Sequence, residues 1–404
     1  MPDTTLLRSS RRCRLALWAA CVLSLSLAAS SLADPGASQK MTPTVERQEL
    51  DEDLERWRAL IARYRKEGLA GVRDELNQWP PGRVERNARW AETLNERAAA
   101  ARKLSLPHEP VAPAKAPPEV SAADLAAAAV LFLDGAASEV DAGAYERAPF
   151  HLSAGLAYLD LYDRWKTVLD PPLRGLWYRA AASLMLAAVD VDGFEAHLPR
   201  IKAAGDVAHL WMIRGAYAEL RASPQLEHLL RPRDDRTREG QRVTAARQRS
   251  LIEEAERTYR RSVELDPHLV EGWLRLALLL SRQDKPEEAI KALDSIPKAS
   301  LDVELRYLVL LVSGGARAQA GDWDDAAAEY RAAMQLLPGA QSARIGLSDT
   351  LLHDGRAEEA AGLLTKRLAE PPGAAGSDPW WGFQRGPYWR ICAVLDALRE
   401  MVRR

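Results

Sequence analysis

Candidate catalytic side chains are spread along this 404-residue chain without the spacing of an enzyme motif. A zinc hydrolase helix holds its metal with two histidines four residues apart and carries a glutamate between them. None of the seven histidines in this chain belongs to such a pair. The chain also has no Gly-x-Ser-x-Gly elbow, no phosphate-binding Gly/Lys loop and no dinucleotide fingerprint. We therefore predict that the protein is not an enzyme and uses no cofactor or metal. The alternative is an envelope hydrolase assembled from distant helices.

Aromatic side chains near the end of the chain supply a second candidate chemistry, because a tryptophan ring can stack on a sugar or a proline. Five aromatic residues fall within residues 380–389. We interpret residues 373–404 as a tryptophan-rich loop and a helix that caps the last apolar face of a helical array, with the tryptophan pair as its wedge. The alternative is an envelope glycan or cell-wall binding module that uses Trp380, Trp381 and Trp389.

The overall composition limits the classes of partner. The chain has 55 Lys and Arg against 57 Asp and Glu, so it carries no global positive field and nucleic acid is not an expected partner. Its three cysteines are too few for a disulfide scaffold or a cysteine-based zinc site. Cys392 is expected to lie on the apolar face of the last predicted helix and is interpreted as a small core residue.

The first 33 residues have the features of an export signal. Four arginines precede an apolar run over 15–33, which ends in Ser31-Leu32-Ala33 before a polar segment. This pattern predicts a secretory signal peptide over 1–33 with cleavage after Ala33, a periplasmic or secreted bacterial protein, and no membrane span after cleavage. The alternative is an uncleaved membrane anchor, because the apolar run is nearly long enough to cross a bilayer.

The next part of the chain is predicted to be helical. Residues 34–104 form an N-terminal helical segment with helices over 45–66, 72–79 and 83–104, and Gly68 ends the first of them. Residues 105–120 are a linker, since five prolines within 107–118 prevent a regular helix. Apolar residues at helical spacing then predict helices over 121–140, 145–163, 173–189 and 194–204. Residues 121–205 are therefore expected to form helical hairpins, which are compatible with degenerate repeats.

Four alanines recur at similar spacing in the second half of the chain, which indicates an internal repeat. They are Ala255, Ala289, Ala326 and Ala360, separated by 34, 37 and 34 residues. A larger residue follows each of them four positions later, at Tyr259, Leu293, Tyr330 and Leu364. A small residue precedes the last three by twelve positions, at Ala277, Gly314 and Ser348. Small side chains at both positions let two antiparallel helices approach closely, so each unit is predicted to be a helical hairpin.

This repeat is similar to the tetratricopeptide repeat, a 34-residue pair of antiparallel helices. The best match is Trp273-Leu-Arg-Leu-Ala277 followed by Glu287-Glu288-Ala289. Clear motifs cover residues 206–372, with an insertion near 223–248 after which a second helix begins near Arg249. The ending Asp378-Pro-Trp-Trp resembles exported bacterial tetratricopeptide repeat proteins that close with the same residues. The resemblance implies an all-α solenoid of stacked hairpins.

The same resemblance implies a scaffold or adaptor whose concave surface, lined by the first helix of each hairpin, binds another envelope or secreted protein. The nominated partner-binding residues are Arg275, Arg282, Gln319, Asp349, His353, Trp380 and Trp381. The first five of these are expected to avoid the core. Apolar residues occupy much of the surface where one subclass of the family clamps a C-terminal carboxylate, namely Leu274, Leu278, Leu311 and Ile345. An apolar or helical partner segment is therefore favoured.

Overall fold

The computed structural model describes residues 43–76, 120–165, 171–203, 207–223, 238–297, 301–368 and 378–403. Helices, turns and short connections account for these residues, and no strand occurs among them. The prediction of an all-α solenoid is therefore confirmed. The predicted signal peptide over 1–33, the predicted helix over 83–104 and the linker up to residue 119 lie outside the described residues.

The described helices follow one another with short connections. They are α1 (Pro43–Glu67), α2 (Arg73–Leu76), α3 (Ala122–Asp141), α4 (Ala148–Trp165), α5 (Pro171–Ala187), α6 (Val191–Ala203), α7 (Val207–Ala222), α8 (Arg238–Leu265), α9 (Val270–Arg282), α10 (Pro286–Asp294), α11 (Val303–Ala320), α12 (Trp323–Leu336), α13 (Ser342–His353), α14 (Ala357–Leu368), α15 (Pro379–Phe383) and α16 (Ile391–Arg403). Short 3-10 helices occupy Leu69–Gly71 and Gly386–Arg390. The four helices predicted within 121–205 are confirmed, with ends that differ by a few residues.

Consecutive helices pair into hairpins from α3 to α14. The pairs are α3 with α4, α5 with α6, α7 with α8, α9 with α10, α11 with α12 and α13 with α14. The first helices of neighbouring hairpins are also in contact: α3 with α5, α5 with α7, α9 with α11 and α11 with α13. In three hairpins a residue with a left-handed backbone conformation follows the first helix at the equivalent position: Asp284, Gly321 and Gly355. Each hairpin therefore buries its apolar faces against its neighbours, as a solenoid requires.

Small residues sit where the two helices of a hairpin meet. Ala289 and Ala326 are fully buried, and Ala360 is nearly so. A Cβ added at Gly314 would lie only 3.0 Å from the ring of Tyr330, so a larger residue there would push the helices apart. In the last hairpin the hydroxyl of Ser348 donates a hydrogen bond to the carbonyl of Ala360 over 3.1 Å. The predicted close contact between the two helices is thus present.

Two helix boundaries differ from the predictions. The helix expected to begin near Arg249 begins at Arg238, so residues 238–248 of the predicted insertion are helical and extend the second helix of its hairpin. Residues 224–237 lie outside the described part of the chain. The helix predicted over 72–79 is the short α2, which is described only as far as Leu76.

The prediction that the last helix caps the end of the repeat array is wrong. Helix α16 packs against α1, α3 and α5, at the opposite end of the chain from the last hairpin. Its apolar face is buried there, through Ile391, Val394, Leu395, Leu398 and Val402. The physical reason is that α3 offers a broad apolar surface, since its residues from 125 to 137 are all buried. The prediction for Cys392 is also wrong, because its side chain lies on the exposed side of α16.

Candidate partner-binding surface

A short C-terminal segment lies across the first helices of the hairpins. Helix α15 touches α11, and the turn Gly386–Arg390 touches α5 and α7. We call residues 378–390 the strap, and the face of α3, α5, α7, α9, α11 and α13 on which it lies the inner surface. The inner surface is the one nominated from sequence for partner binding, so the strap occupies part of the candidate site.

Asp378 fixes the first end of the strap. Its Oδ2 accepts hydrogen bonds from the backbone N–H groups of Gln341 and Ser342, at 2.9 and 2.8 Å, at the start of α13. Its Oδ1 accepts bonds from the Tyr307 hydroxyl at 3.2 Å and from the Trp380 N–H at 3.0 Å. A carboxylate is favoured at this point because the free N–H groups of a helix start carry partial positive charge.

The neighbouring phenol keeps its proton. Burial raises the pKa of Tyr307, and the negative charge of Asp378 raises it further. Tyr307 therefore acts as a hydrogen-bond donor to Asp378 at neutral pH.

Phe383 and Arg275 form the central contact between the strap and the inner surface. Phe383 is 1% exposed, and the Arg275 guanidinium carbon lies 4.6 Å from the centre of its ring. Both Nε and Nη2 of Arg275 donate to Glu271 Oε1, at 2.9 and 2.6 Å. The expectation that Arg275 avoids the core is wrong, because this ion pair and the covering ring leave it 8% exposed. A guanidinium under an aromatic ring is a favourable cation–π arrangement.

Tyr388 connects the other end of the strap to α3. Its hydroxyl donates to Asp141 Oδ1 over 2.7 Å and lies 3.3 Å from the Ala137 carbonyl oxygen. The guanidinium carbon of Arg385 lies 4.7 Å from the centre of the Tyr388 ring. Burial raises the pKa of Tyr388, with the acceptor Asp141 adding to the rise, so the phenol stays protonated and donates.

A buried charge cluster holds α16 beside the strap. Asp134 of α3 is 1% exposed, and its Oδ2 accepts bonds from the Tyr64 hydroxyl at 2.5 Å and from Arg399 Nε at 2.9 Å. Arg399 Nη2 lies 2.9 Å from Oδ1 of the same carboxylate. Burial raises the pKa of Asp134 above its usual value, although Arg399 pulls it down. The cluster joins α1, α3 and α16, and Arg65 Nε adds a 2.9 Å bond to the carbonyl of Val402.

A cavity of about 530 Å³ lies between part of the strap and α5, α7 and α9. Leu278 and Arg282 of α9 line one side, and residues 383–387 of the strap line the other. Glu219 of α7 also lines it, and accepts a 2.7 Å hydrogen bond from Arg282 Nη1. The strap is therefore bonded at both ends and borders an open cavity on one side of its middle, where Phe383 itself is buried.

Three of the nominated residues connect neighbouring hairpins. Arg282, Gln319 and His353 each precede a repeat alanine by seven positions. Arg282 reaches Glu219 of the preceding hairpin, and Gln319 Nε2 donates to the Ser281 carbonyl at 2.8 Å. The ring of His353 stacks on Trp323, with centroids 5.6 Å apart. These side chains sit at the edge of the inner surface and link one repeat to the next.

The remaining nominated residues differ in exposure. Asp349 is exposed on α13, where one of its oxygens lies 3.9 Å from His353 Nε2. Trp380 is half-buried and stacks on Phe383, with centroids 6.0 Å apart. Trp381 is 61% exposed. The structure thus leaves Asp349 and Trp381 open to solvent and packs Trp380 against Phe383 within the strap.

The apolar lining expected for the surface is also divided. Leu274 and Leu311 are buried, and Leu278 faces the cavity. Ile345 is 54% exposed on α13. The open apolar part of the inner surface therefore lies on the last hairpin.

The sequence reasoning missed the anchors of the strap. Asp378 immediately precedes Pro379 at the start of a short helix, a usual place for a capping carboxylate. Asp134 stands alone in an apolar helix, which is the pattern of a buried and paired charge. Both signals are readable in the sequence. The partners of these residues are not, because they lie far away along the chain.

Residues 317–377 match the family model of the tetratricopeptide repeat. This part of the chain therefore has the sequence of the tetratricopeptide repeat. The match begins in α11 and runs through α12, α13 and α14, the hairpins whose small residues meet as described above. No curated protein matches the chain. Among solved structures, the one titled "MamA MSR-1 C2" is similar at 17% identity over 48% of this chain and 94% of that chain, with a TM-score of 0.34.

Two further properties concern the described residues only. None of their helices combines the length and the apolar character needed to cross a bilayer. No three of their His, Cys, Asp or Glu side chains are grouped so that they could hold a metal ion.

Proposed function

We propose that this tetratricopeptide repeat protein is an exported scaffold that binds a segment of another envelope or secreted protein on its inner surface, without catalysis of its own. The observation that carries the proposal is the strap itself. The inner surface already holds a short segment through a capped carboxylate, an aromatic ring over a guanidinium and a tyrosine hydroxyl. A surface that accommodates such a segment has the shape and the polar groups that peptide recognition needs.

The part of the inner surface that is open in this structure lies on α13. Ile345 and Leu352 are 54% and 57% exposed, seven residues apart and thus on one side of the helix. Asp349 lies between them and is exposed as well. This combination favours an apolar or helical partner segment that carries a positive charge.

Crosslinking in the native envelope tests the proposal. A photoreactive amino acid at Leu352 is expected to capture a distinct protein, and Asp349→Arg is expected to reduce that capture while the helical circular dichroism spectrum stays unchanged. The matched control places the same photoreactive group at Thr365, an exposed residue of the outer helix α14. Identical products from the two positions would contradict the proposal.

A glycan-binding function is the second candidate, because the Trp381 ring is 61% exposed. Trp380 and Trp389 both contact Phe383, so Trp381 is the most open of the three rings. This function predicts that envelope polysaccharide changes the tryptophan fluorescence and that Trp381→Ala abolishes the change. An unchanged spectrum on titration counts against it.

The export step has its own test. The proposal expects a mature N-terminus at Asp34 when the protein is isolated from cells, because the predicted signal peptide ends at Ala33. Recovery of the protein with residues 1–33 still attached would favour the membrane-anchor alternative.

A further inference from the structure

We propose that the strap is a displaceable self-ligand, and that the natural partner replaces it with a segment of the same chemistry: a carboxylate, then a large aromatic ring, then an aromatic hydroxyl. This rests on the proposed function and concerns the part of the inner surface under the strap, next to the open part on α13: it names the chemistry of the segment that binds there.

The carboxylate subsite is the start of α13. Asp378 satisfies two backbone N–H groups there and accepts a third bond from Tyr307. Tyr307 is fully buried and donates from the body of α11, so it belongs to the repeats rather than to the strap. The repeats therefore present a ready set of donors to an acidic side chain, whichever chain supplies it.

The aromatic subsite is the face of Arg275. Glu271 on the same helix neutralises this guanidinium and fixes its position, so the pair does not depend on the strap. Phe383 only covers it, with the ring centre 4.6 Å from the guanidinium carbon. Any large aromatic side chain can take this place, because the attraction depends on the ring face and not on a specific polar group.

The aromatic hydroxyl subsite is the end of α3. The Asp141 carboxylate and the Ala137 carbonyl both lie within hydrogen-bond distance of the Tyr388 hydroxyl. Both acceptors belong to α3, so they stay in place when the strap leaves.

Several features make the strap easier to displace than α16. Its helix spans five residues and its 3-10 turn another five, too short to be stable without tertiary contacts. Residues 383–387 border the cavity of about 530 Å³, so the side of this stretch that faces the cavity has no packed neighbour, although Phe383 itself is buried. Helix α16, in contrast, buries a full apolar face and the Asp134 cluster. We therefore expect the strap to open while α16 stays docked.

The experiment uses the full chain and a fluorescent synthetic peptide with the sequence of residues 378–390. The double variant Asp378→Ala/Phe383→Ala removes two of the strap's anchors, so its inner surface should be free more often. Fluorescence anisotropy is expected to show that the peptide binds this variant at least tenfold more tightly than the unaltered chain. Hydrogen exchange of the amides of Gln341 and Ser342 should accelerate in the variant and slow again when the peptide is added.

Controls separate strap opening from misfolding. Tyr388→Phe removes only one hydroxyl and is expected to give an intermediate affinity with the normal helical content. Trp381→Ala alters an exposed strap residue and should leave the affinity at the level of the unaltered chain. A peptide with alanine at the Asp378 and Phe383 positions should not bind.

Equal peptide affinity for the variant and the unaltered chain overturns the proposal, as does absence of binding to a Tyr388→Phe chain that is folded. The outcome is independent of the crosslinking at Leu352. Peptide binding as expected, with no protein captured at Leu352, would leave the strap a self-ligand and refute the scaffold function. Capture of a protein at Leu352 without peptide binding would support the scaffold function and refute the proposal that the strap is a self-ligand.

Discussion

Replacing Arg399 with methionine tests whether a buried ion pair holds α16 on the repeats. The substitution keeps the apolar stem of the side chain but leaves the Asp134 carboxylate with Tyr64 as its remaining donor. Breaking a buried pair costs about 3 to 5 kcal/mol. Arg399 is 29% exposed whereas the Asp134 side chain is 0% exposed, so we expect the lower end, about 3 kcal/mol of unfolding free energy at pH 7.

The loss should depend on pH because Asp134 can take up a proton. Burial raises the folded-state pKa of Asp134 above its unfolded value, and removing Arg399 removes a cause that lowers it. A raised pKa means that stability is highest below the unfolded value and falls as pH rises through the folded value. The variant should therefore lose less stability at pH 5 than at pH 7, by up to about 1.4 kcal/mol for each pH unit.

Urea unfolding followed by circular dichroism at pH 7 and pH 5 measures both effects. The matched control is Arg261→Met, which breaks a 3.2 Å pair with Glu264 whose side chains are 51% and 60% exposed. That variant should change stability by less than about 1 kcal/mol at either pH. The reasoning is refuted if Arg399→Met costs no more than Arg261→Met, or if its cost is the same at both pH values.

Three other predictions concern the repeats and their helices. Gly215→Ala should destabilise the protein by about 1 to 3 kcal/mol, because the added Cβ would overlap the buried Tyr259 ring. Gly362→Ala should stabilise α14 by about 0.5 kcal/mol, because the added Cβ meets open space. The midpoints of urea unfolding should therefore move in opposite directions for the two variants. Ser121→Ala removes the reciprocal cap at the start of α3 and should cost about 1 kcal/mol by the same measurement. Burial raises the pKa of eight tyrosines, to about 12 in Tyr330, so absorbance at 295 nm should show incomplete ionisation of the folded protein near pH 11. Because unfolded phenols ionise near pH 10, stability should fall as pH rises above that value, and full ionisation without unfolding would contradict the burial.

The repeat hairpins could be predicted because their signal is local. Small residues such as Ser348 and Ala360 are twelve positions apart and meet within one hairpin, so spacing alone indicates the contact. Helix ends were less accurate. Arg238 begins α8 well before the predicted start, because polar residues at the start of an amphipathic helix give no apolar periodicity to detect.

The position of the C-terminal segment could not be predicted, because it depends on contacts between distant parts of the chain. Asp378 accepts a hydrogen bond from the backbone of Ser342, and Tyr388 donates one to Asp141, which lies 247 residues earlier in the chain. An apolar face on α16 indicates that it packs on something, and the sequence does not say on what. Arg275 was misjudged for the same reason, since the ring that covers it comes from Phe383.

The central claim is that the chain end folds back over the inner surface and docks beside α3. Distances between spin labels test it most directly, with one label on Cys392 in a chain whose Cys13 and Cys21 are replaced by serine. A second label at Ala142, after the end of α3, should give a short distance, and one at Thr365 on α14 should give a longer distance. A label on Cys392 that lies nearer to residue 365 than to residue 142 would contradict the claim and restore the helix as a cap on the last repeat.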